Sequence, residues 1–264
     1  MTTIAGWMQQ HGDLPRLDRE VLLMDELNKN RAYLLAHPEH LIDDAVHEHL
    51  KKSVNRLRTG EPIAYIRGWK EFRGLRFDVS PAVLVPRPET ELLVELVLQE
   101  AETNSSVLDL GTGSGAIAVS VANSKPEFSV VATDISLEAL HIARKNAMRH
   151  APHVQFCHGD WFAAVATTFD IVVSNPPYIG DSETALLTLR AEPRGALVSG
   201  YDGLGAIRKI VSTAADRCRR LLLLEHGATQ GAAVRSLFAT AGFRDVQTER
   251  DLAGLDRITW GRLS

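Results

Sequence analysis

The sequence predicts an α/β protein: a mainly parallel, seven-stranded sheet with helices on both faces, preceded by a small N-terminal helical bundle and a β-hairpin linker. Three observations predict it. From about residue 107 onward, short apolar, β-branched runs alternate with helical stretches, the pattern of a parallel sheet buried on both faces. The first 60 or so residues repeat apolar residues at helical spacing, with no strand-like alternation. Between the two lies a segment rich in aromatic and β-branched residues, with glycines at turn positions.

In chain order, Leu14, Leu17, Val21, Met24 and Leu27 mark one helix face. Leu41, Ile42, Ala45, His47, Leu50, Val54 and Leu57 mark another, and Thr59-Gly60 stops it. Tyr65–Val79 reads as a β-hairpin. Pro86 opens a helix through Leu98, because a proline near the first helical position loses no hydrogen bond and Glu89 and Glu91 suit the positive end of the helix dipole. The strand candidates are Val107–Leu110, Val130–Asp134, Val154–Phe156, Ile171–Ser174, Leu221–Glu225, Phe243–Gln247 and Arg257–Gly261. Helices are expected at Ala116–Asn123 and at Leu137–His150, the latter capped by Ser136. No clear helix separates the last two strands, so an antiparallel hairpin is expected at that edge. The expected domains are residues 1–64, a linker at 65–85, and residues 86–264.

Composition narrows the class. With 264 residues, 45% apolar and 23% charged, the chain is globular and not mainly disordered. Its 29 basic and 33 acidic side chains give a net charge of −4, which excludes a protein that coats nucleic acid over its whole surface. Cys157 and Cys218 are the only cysteines, so no disulfide framework forms and a reducing compartment is expected. No apolar run reaches the roughly 18 residues of a membrane span, and Met1–Trp7 lacks the pattern of a signal peptide. A cytoplasmic protein is expected. Charge is uneven: residues 51–76 hold 8 basic and 2 acidic side chains. Two readings stand, a solvated helix end and hairpin, or a docking face for an RNA-rich or acidic partner.

The chemistry gathers in three places. Asp109-Leu110-Gly111-Thr112-Gly113-Ser114-Gly115 follows a strand and opens a helix. Glycines there allow a tight turn and close approach of a ligand to free backbone N–H groups, making Gly111, Thr112, Gly113, Ser114 and Gly115 candidate cofactor contacts. The spacing is Gly-x-Gly-x-Gly, not the dinucleotide fingerprint. Asp134 ends the next strand, where a carboxylate can accept hydrogen bonds from both hydroxyls of a ribose; together these point to an adenosine-containing cofactor. The third place is Asn175-Pro176-Pro177-Tyr178, after Ile171–Ser174. The prolines fix the backbone and leave the carbonyls of Asn175 and Pro176 without local N–H partners. With the Asn175 side chain, these acceptors can grip both hydrogens of an NH₂ group, and Tyr178 offers a flat face to a planar one.

In this order, the three motifs resemble the class I S-adenosylmethionine-dependent methyltransferases that modify planar nitrogen. Within that group the chain is similar to the peptide chain release factor glutamine methyltransferases (the HemK/PrmC family). The likeness extends through Gly60–Gly68, Glu71–Leu75, Val85–Glu91, Glu192-Pro193, Ala196-Leu197, Gly200 with Asp202–Leu204, and Asp251–Arg257. It implies a Rossmann-like methyltransferase sheet with S-adenosyl-L-methionine as cofactor. It also implies that Asp160 accepts from the adenine amino group while Trp161 packs on the ring. Asn175 and Pro176 would take the substrate amide, with Pro177 and Tyr178 completing its pocket. The implied partners are peptide chain release factors, methylated on the glutamine of their Gly-Gly-Gln motif and docked by the helical residues, with a monomeric enzyme and no stable nucleic-acid binding. Three positions depart from the family pattern: His226, the Cys218-Arg219-Arg220 strand entry, and Ala191.

Rival readings are weaker. An adenine-N6 DNA methyltransferase also acts on a planar NH₂ group, but base flipping calls for a basic recognition surface, and the chain from Pro86 onward holds 17 basic and 21 acidic residues. A non-catalytic docking platform leaves Asn175–Tyr178 without a purpose. The loop spacing disfavours a nicotinamide oxidoreductase. His47-Glu48-His49 does not converge on a helix, Cys157-His158 lacks a second ligand pair, and Ser114 and Ser199 lack the companions of an acyl-transfer site.

Overall fold

A computed structural model describes residues 2–263. The chain divides into two compact units, Met1–Gly68 and Trp69–Ser264.

The first unit consists of helices α1 (Ile4–Gln10), α2 (Arg16–Leu27), α3 (Arg31–Ala36), α4 (Asp44–Arg58) and α5 (Ile63–Arg67), with two-residue strands β1 (Thr2–Thr3) and β2 (Leu41–Ile42) paired antiparallel. Side-chain caps start three of the helices: Thr3 accepts from Gly6 N, Asn30 from Tyr33 N and Asp43 from Val46 N. Trp7, Leu23, Ile42 and Leu50 are fully enclosed, each of the aliphatic ones worth roughly 1.5–3 kcal/mol. Helix α2 buries part of the predicted face, with Met24 and Leu27 packed partly buried against this core, but the centre of the face shifts. Leu17 is 65% exposed, while Glu20, Leu22 and Leu23 are buried. Glu20 can turn inward because Arg16 Nε and Arg31 Nε each donate to it at 2.8 Å, so no unpaired charge is enclosed. These guanidinium groups hold its carboxyl below the usual range.

Tyr65–Arg67, expected as strand, complete helix α5, which ends at Gly68 with φ 75°. The hairpin is confined to β3 (Trp69–Phe72) and β4 (Leu75–Asp78), and both turn residues, Arg73 and Gly74, have positive φ, as a two-residue hairpin turn requires.

The remainder of the second unit runs α6 (Thr90–Glu100), β5 (Ser106–Leu110), α7 (Ala116–Ser124), β6 (Ser129–Asp134), α8 (Leu137–His150), β7 (Gln155–His158), β8 (Phe169–Ser174), α9 (Gly205–Arg217), β9 (Cys218–Glu225), α10 (Gly231–Thr240), β10 (Arg244–Arg250) and β11 (Asp256–Arg262). Helix α6 starts at Thr90, not Pro86, because Pro86–Glu89 form an extended lead-in and turn. The seven-stranded sheet has the order β10-β11-β9-β8-β5-β6-β7. Strands β9, β8, β5, β6 and β7 are parallel, and β11 and β10 add antiparallel at one edge. Successive strand residues alternate between two cores. Val107, Ile171, Val173, Leu221 and Leu223 pack with α6 and α7 on one face, and Leu108, Leu110, Val172, Leu222 and Leu224 pack with α9 and α10 on the other. Asn146, fully buried on α8, ties hairpin to sheet: it accepts from Asp78 N at 2.7 Å and donates to Asp78 O and Ser114 O.

Most arginines of the basic strip are ion-paired. Within the first unit Arg56 pairs with Glu61, Arg58 with Asp13 and Arg67 with Asp25. Within the second, Arg73 pairs with Glu95 and Arg76 lies over the Trp69 ring. Among the described residues, no helix is long and apolar enough to cross a membrane.

Candidate active site

The five parallel strands deliver their carboxyl ends to one edge of the sheet, where open α/β folds bind ligands. A cavity there is lined by Gly111, Thr112, Gly113 and Ser114 after β5, Asp134, Ile135 and Ser136 after β6, Gly159, Asp160 and Trp161 after β7, and Asn175 and Pro177 after β8. Leu84, Pro86, Arg87 and Thr90 supply another wall, with Pro193, Gly195 and Ala196. Most of the predicted site residues therefore meet at one place. Gly115, Pro176 and Tyr178 are not among the lining residues. Gly115 caps α7 beneath the loop with φ 82°, and Pro176 is buried.

The glycine loop is held from below. Asp109 Oδ2 accepts from Thr112 Oγ1 at 2.6 Å and from Ala118 N at 3.2 Å, while Thr112 N donates to Thr133 O. Asp109 is fully buried, its Oδ1 has no partner, and burial pushes its carboxyl up to about 7. The upper surface of the loop stays open to a ligand. At Gly111, with φ 69°, an added Cβ would lie 3.1 Å from the Trp161 ring, so this position keeps the loop and the tryptophan in close approach.

Asp134 joins loop to sheet. Its Oδ2 accepts from Gly113 N at 2.8 Å and its Oδ1 from Ser136 N at 2.9 Å. Each carboxylate oxygen keeps lone-pair capacity for another donor. The backbone carbonyl of Trp161 accepts from Thr133 Oγ1 at 3.1 Å, fixing the segment that presents Asp160.

At the end of β8, Ser174 Oγ donates to Leu110 O at 2.6 Å, which locks the two central strands together where the motif begins. The Asn175 side chain donates from Nδ2 to Thr90 Oγ1 at 3.1 Å, and Thr90 Oγ1 donates to Glu225 Oε2 at 2.7 Å. Tyr178 turns its hydroxyl toward Glu225 Oε1, 3.4 Å away, and burial raises that hydroxyl's pKa. Its backbone carbonyl accepts from Gln230 Nε2 at 3.0 Å. Tyr178 thus braces the tetrapeptide from behind.

Several of these residues carried no signal in the sequence. Thr90 and Glu225 lie on α6 and β9, far from Asn175 in the chain; Thr90 falls in the Val85–Glu91 stretch noted for resemblance, but nothing local gives either residue a role. Glu192, buried, accepts from Val85 N at 3.1 Å and pairs with Arg87, which clamps the Pro193–Ala196 wall to the segment before α6. Both lie in stretches noted above for resemblance alone. His226 is fully buried. Its Nδ1 donates to Gly227 O and its Nε2 bonds Thr259 Oγ1, each at 2.9 Å, and burial lowers its pKa, which favours a neutral, structural ring. Cys218 is buried at the start of β9 and stands outside the cavity.

The fold and the cavity define a methyltransferase of the parallel-sheet α/β class. A methyltransferase from Pyrococcus furiosus shares the fold with a TM-score of 0.57 at 19% identity, over 79% of this chain and 96% of that one. Residues 88–198 match the family model described as Methyltransferase small domain, and residues 8–68 match PrmC N-terminal domain. A release factor glutamine methyltransferase from Neisseria gonorrhoeae is 46% identical over 256 residues, covering 94% of each chain. One from Bordetella pertussis is 44% identical over 271 residues, covering 100% of each. The chain belongs to the release factor glutamine methyltransferase family.

Proposed function

We propose that this protein transfers a methyl group from S-adenosyl-L-methionine to the side-chain amide nitrogen (N5) of the glutamine in the Gly-Gly-Gln motif of peptide chain release factors. The observation that carries it is the placement of Asn175 in the cavity beside the glycine loop, with its amide NH₂ committed to Thr90. That leaves Oδ1 as an acceptor for a substrate NH₂ group.

The lining fits the cofactor. Asp134 retains acceptor capacity for two ribose hydroxyls, Asp160 offers an acceptor to an adenine amino group, and Ile135, Ala139 and Trp161 give apolar surface. Gly111, Thr112, Gly113 and Ser114 would hold its methionine and ribose end, with Gly115 shaping the loop from beneath. When bound, S-adenosyl-L-methionine supplies an electrophilic sulfonium methyl group.

The residues of this chain do the rest by positioning. An amide nitrogen is a poor nucleophile because its lone pair is delocalised into the carbonyl. Asn175 Oδ1 and the Pro176 carbonyl grip its two hydrogens and aim the nitrogen, and such orientation can supply several kcal/mol. As positive charge develops on nitrogen the N–H groups grow more acidic, and these acceptors bind them more tightly than in the ground state; one of the two protons is then released to solvent, leaving a neutral N-methyl amide. Tyr178 and Pro177 hold the tetrapeptide rigid.

Residues 1–68 serve as the substrate-recognition unit and residues 69–264, with the β3–β4 hairpin at their start, as the catalytic unit. The enzyme acts as a cytoplasmic monomer without stable nucleic-acid binding. The ion-paired arginines of the basic strip support this reading over an RNA-docking one. Mass spectrometry of a release factor after reaction tests the proposal: the Gly-Gly-Gln glutamine is expected to gain the mass of one CH₂. Label from S-adenosyl-L-methionine on DNA adenine, with none on the factor, would overturn it.

A further inference from the structure

We infer that Glu225 and Thr90 act as a hydrogen-bond relay that sets which end of the Asn175 amide faces the substrate. The inference rests on the reading above, in which Asn175 accepts from a substrate NH₂ group.

An asparagine amide is nearly symmetric in shape, and rotating it by half a turn exchanges an acceptor for a donor pair. Only a neighbour with a fixed donor or acceptor role can choose between the two. Thr90 is that neighbour, and by itself it chooses nothing, because a hydroxyl can donate or accept. Its proton is committed to Glu225 Oε2 at 2.7 Å. Thr90 therefore meets Asn175 with a lone pair, which only Nδ2 can satisfy, at 3.1 Å. Oδ1 is left for the cavity. Thr90 is 4% exposed and Glu225 1%, so water does not compete for either bond.

The relay has a second polarity. A proton placed on Glu225 Oε2 would be donated to Thr90, the Thr90 hydroxyl would turn to donate to Asn175, and Oδ1 would swing inward to receive it. The Asn175 NH₂ group would then face the substrate NH₂ group, donors against donors. The two polarities differ by one proton, gained by or lost from the Glu225 carboxyl in exchange with solvent; no other covalent bond forms or breaks.

The groups facing Glu225 are Thr90 on α6, Tyr178, whose hydroxyl lies 3.4 Å from Oε1, Arg257 on β11, and Glu89 just before α6. Burial dominates, assisted by Glu89, and pushes the carboxyl up to about 7 against the pull of Thr90 and Arg257. The two polarities are therefore both within reach near neutral pH. Thr90 and Glu225 are positioning residues, since the relay acts through Asn175.

Two readouts test this on the full-length protein. In the first, kcat/KM for release factor methylation is followed against pH. The native enzyme is expected to lose activity as pH falls through about 7. Glu225→Gln is expected to abolish that acid limb and to lower the alkaline plateau on the order of 10–100-fold, as for other residues that orient a reacting-site group. Thr90→Val is expected to lower kcat similarly with little change in cofactor affinity, and Thr90→Ser to restore both rate and limb. A folding defect would not be rescued in that pattern. In the second, the Asn175 side-chain amide is followed by ¹H–¹⁵N NMR, with no substrate present. Its signals are expected to titrate near the same pH in the native protein and to stay fixed in Glu225→Gln. Native-like rates in Thr90→Val, or an Asn175 amide insensitive to pH, would overturn the relay. Because the NMR experiment needs no release factor, failure of the relay and failure of the proposed substrate are told apart.

Discussion

Asp134 and Gly113 are joined by a 2.8 Å hydrogen bond from the Gly113 backbone N–H to the Asp134 carboxylate, so the loop over β5 and the acidic end of β6 form one rigid cradle. The carboxylate proposed to accept from the ribose is thereby also a brace for the loop. Replacing Asp134 by Ala removes two charge-assisted acceptor positions, each worth roughly 1.5–3 kcal/mol, and loosens the loop. Calorimetry is expected to show S-adenosyl-L-methionine affinity reduced at least about tenfold, with melting behaviour changed far less. Unchanged affinity would contradict the assignment of Asp134 to the ribose.

Asn175→Ala separates binding from transfer. The side chain borders the cavity, yet its bond runs to Thr90 and away from the glycine loop. Loss of one pre-aimed hydrogen-bonding group costs on the order of 10²–10³ in kcat. Single-turnover methylation is expected to fall by that factor while cofactor affinity stays within a few-fold.

Gly203 guards the back of the tetrapeptide. Its φ is 73°, and an added Cβ would fall 2.1 Å from the Tyr178 carbonyl oxygen, which Gln230 also holds. Both the backbone strain and the clash oppose Gly203→Ala, at a cost of about 1–3 kcal/mol or more. Thermal unfolding is expected several degrees lower, together with reduced methylation, because Tyr178 and Asn175 share one short segment.

The neutral ring of His226 makes stability depend on pH. Burial lowers its pKa below 6.5, so the folded state binds fewer protons than the unfolded chain in the window between the two values. Its contribution is fully present above about 6.5 and is lost as pH falls through the lowered folded value. Glu225 and Asp109, raised to about 7, act in the opposite sense, and their contribution is lost as pH rises through that value. Urea titrations at pH 8 and pH 5.5 are expected to show a smaller acid-side loss in His226→Gln than in the native protein, since the carboxylates cancel in the comparison.

Local chemistry made the sheet legible. Helix α8 begins after Ser136, whose hydroxyl accepts from Ala139 N, and the runs at 107–110 and 171–174 lie within strands β5 and β8. Reading failed where a partner distant in sequence decides. The stripe through Leu17 gave way to one through Glu20 and Leu23 because two arginines neutralise Glu20. Part of the excess positive charge at residues 51–76 is offset by ion pairs with Asp13, Asp25 and Glu95, which adjacency could not suggest. In the cavity, motifs supplied most of the lining residues. The residues that hold them, Asp109 excepted, come from other strands and helices, and Tyr178 spends its hydroxyl on Glu225 rather than on the cavity.

The bond between Thr90 and Glu225 spans 135 residues, and this separation has a meaning during biosynthesis. At roughly 5–20 residues per second, Glu225 is made about 7–27 s after Thr90. The residues of β5, β6, β7 and β8 are all made by then, so the chain acquires the lining proposed for its cofactor before the carboxylate proposed to fix the polarity of Asn175. That carboxylate arrives on β9, whose pairing with β8 is a long-range contact of the kind that forms late. A chain that stops short of Glu225 lacks the group that, in the proposed relay, turns Oδ1 of Asn175 toward the cavity.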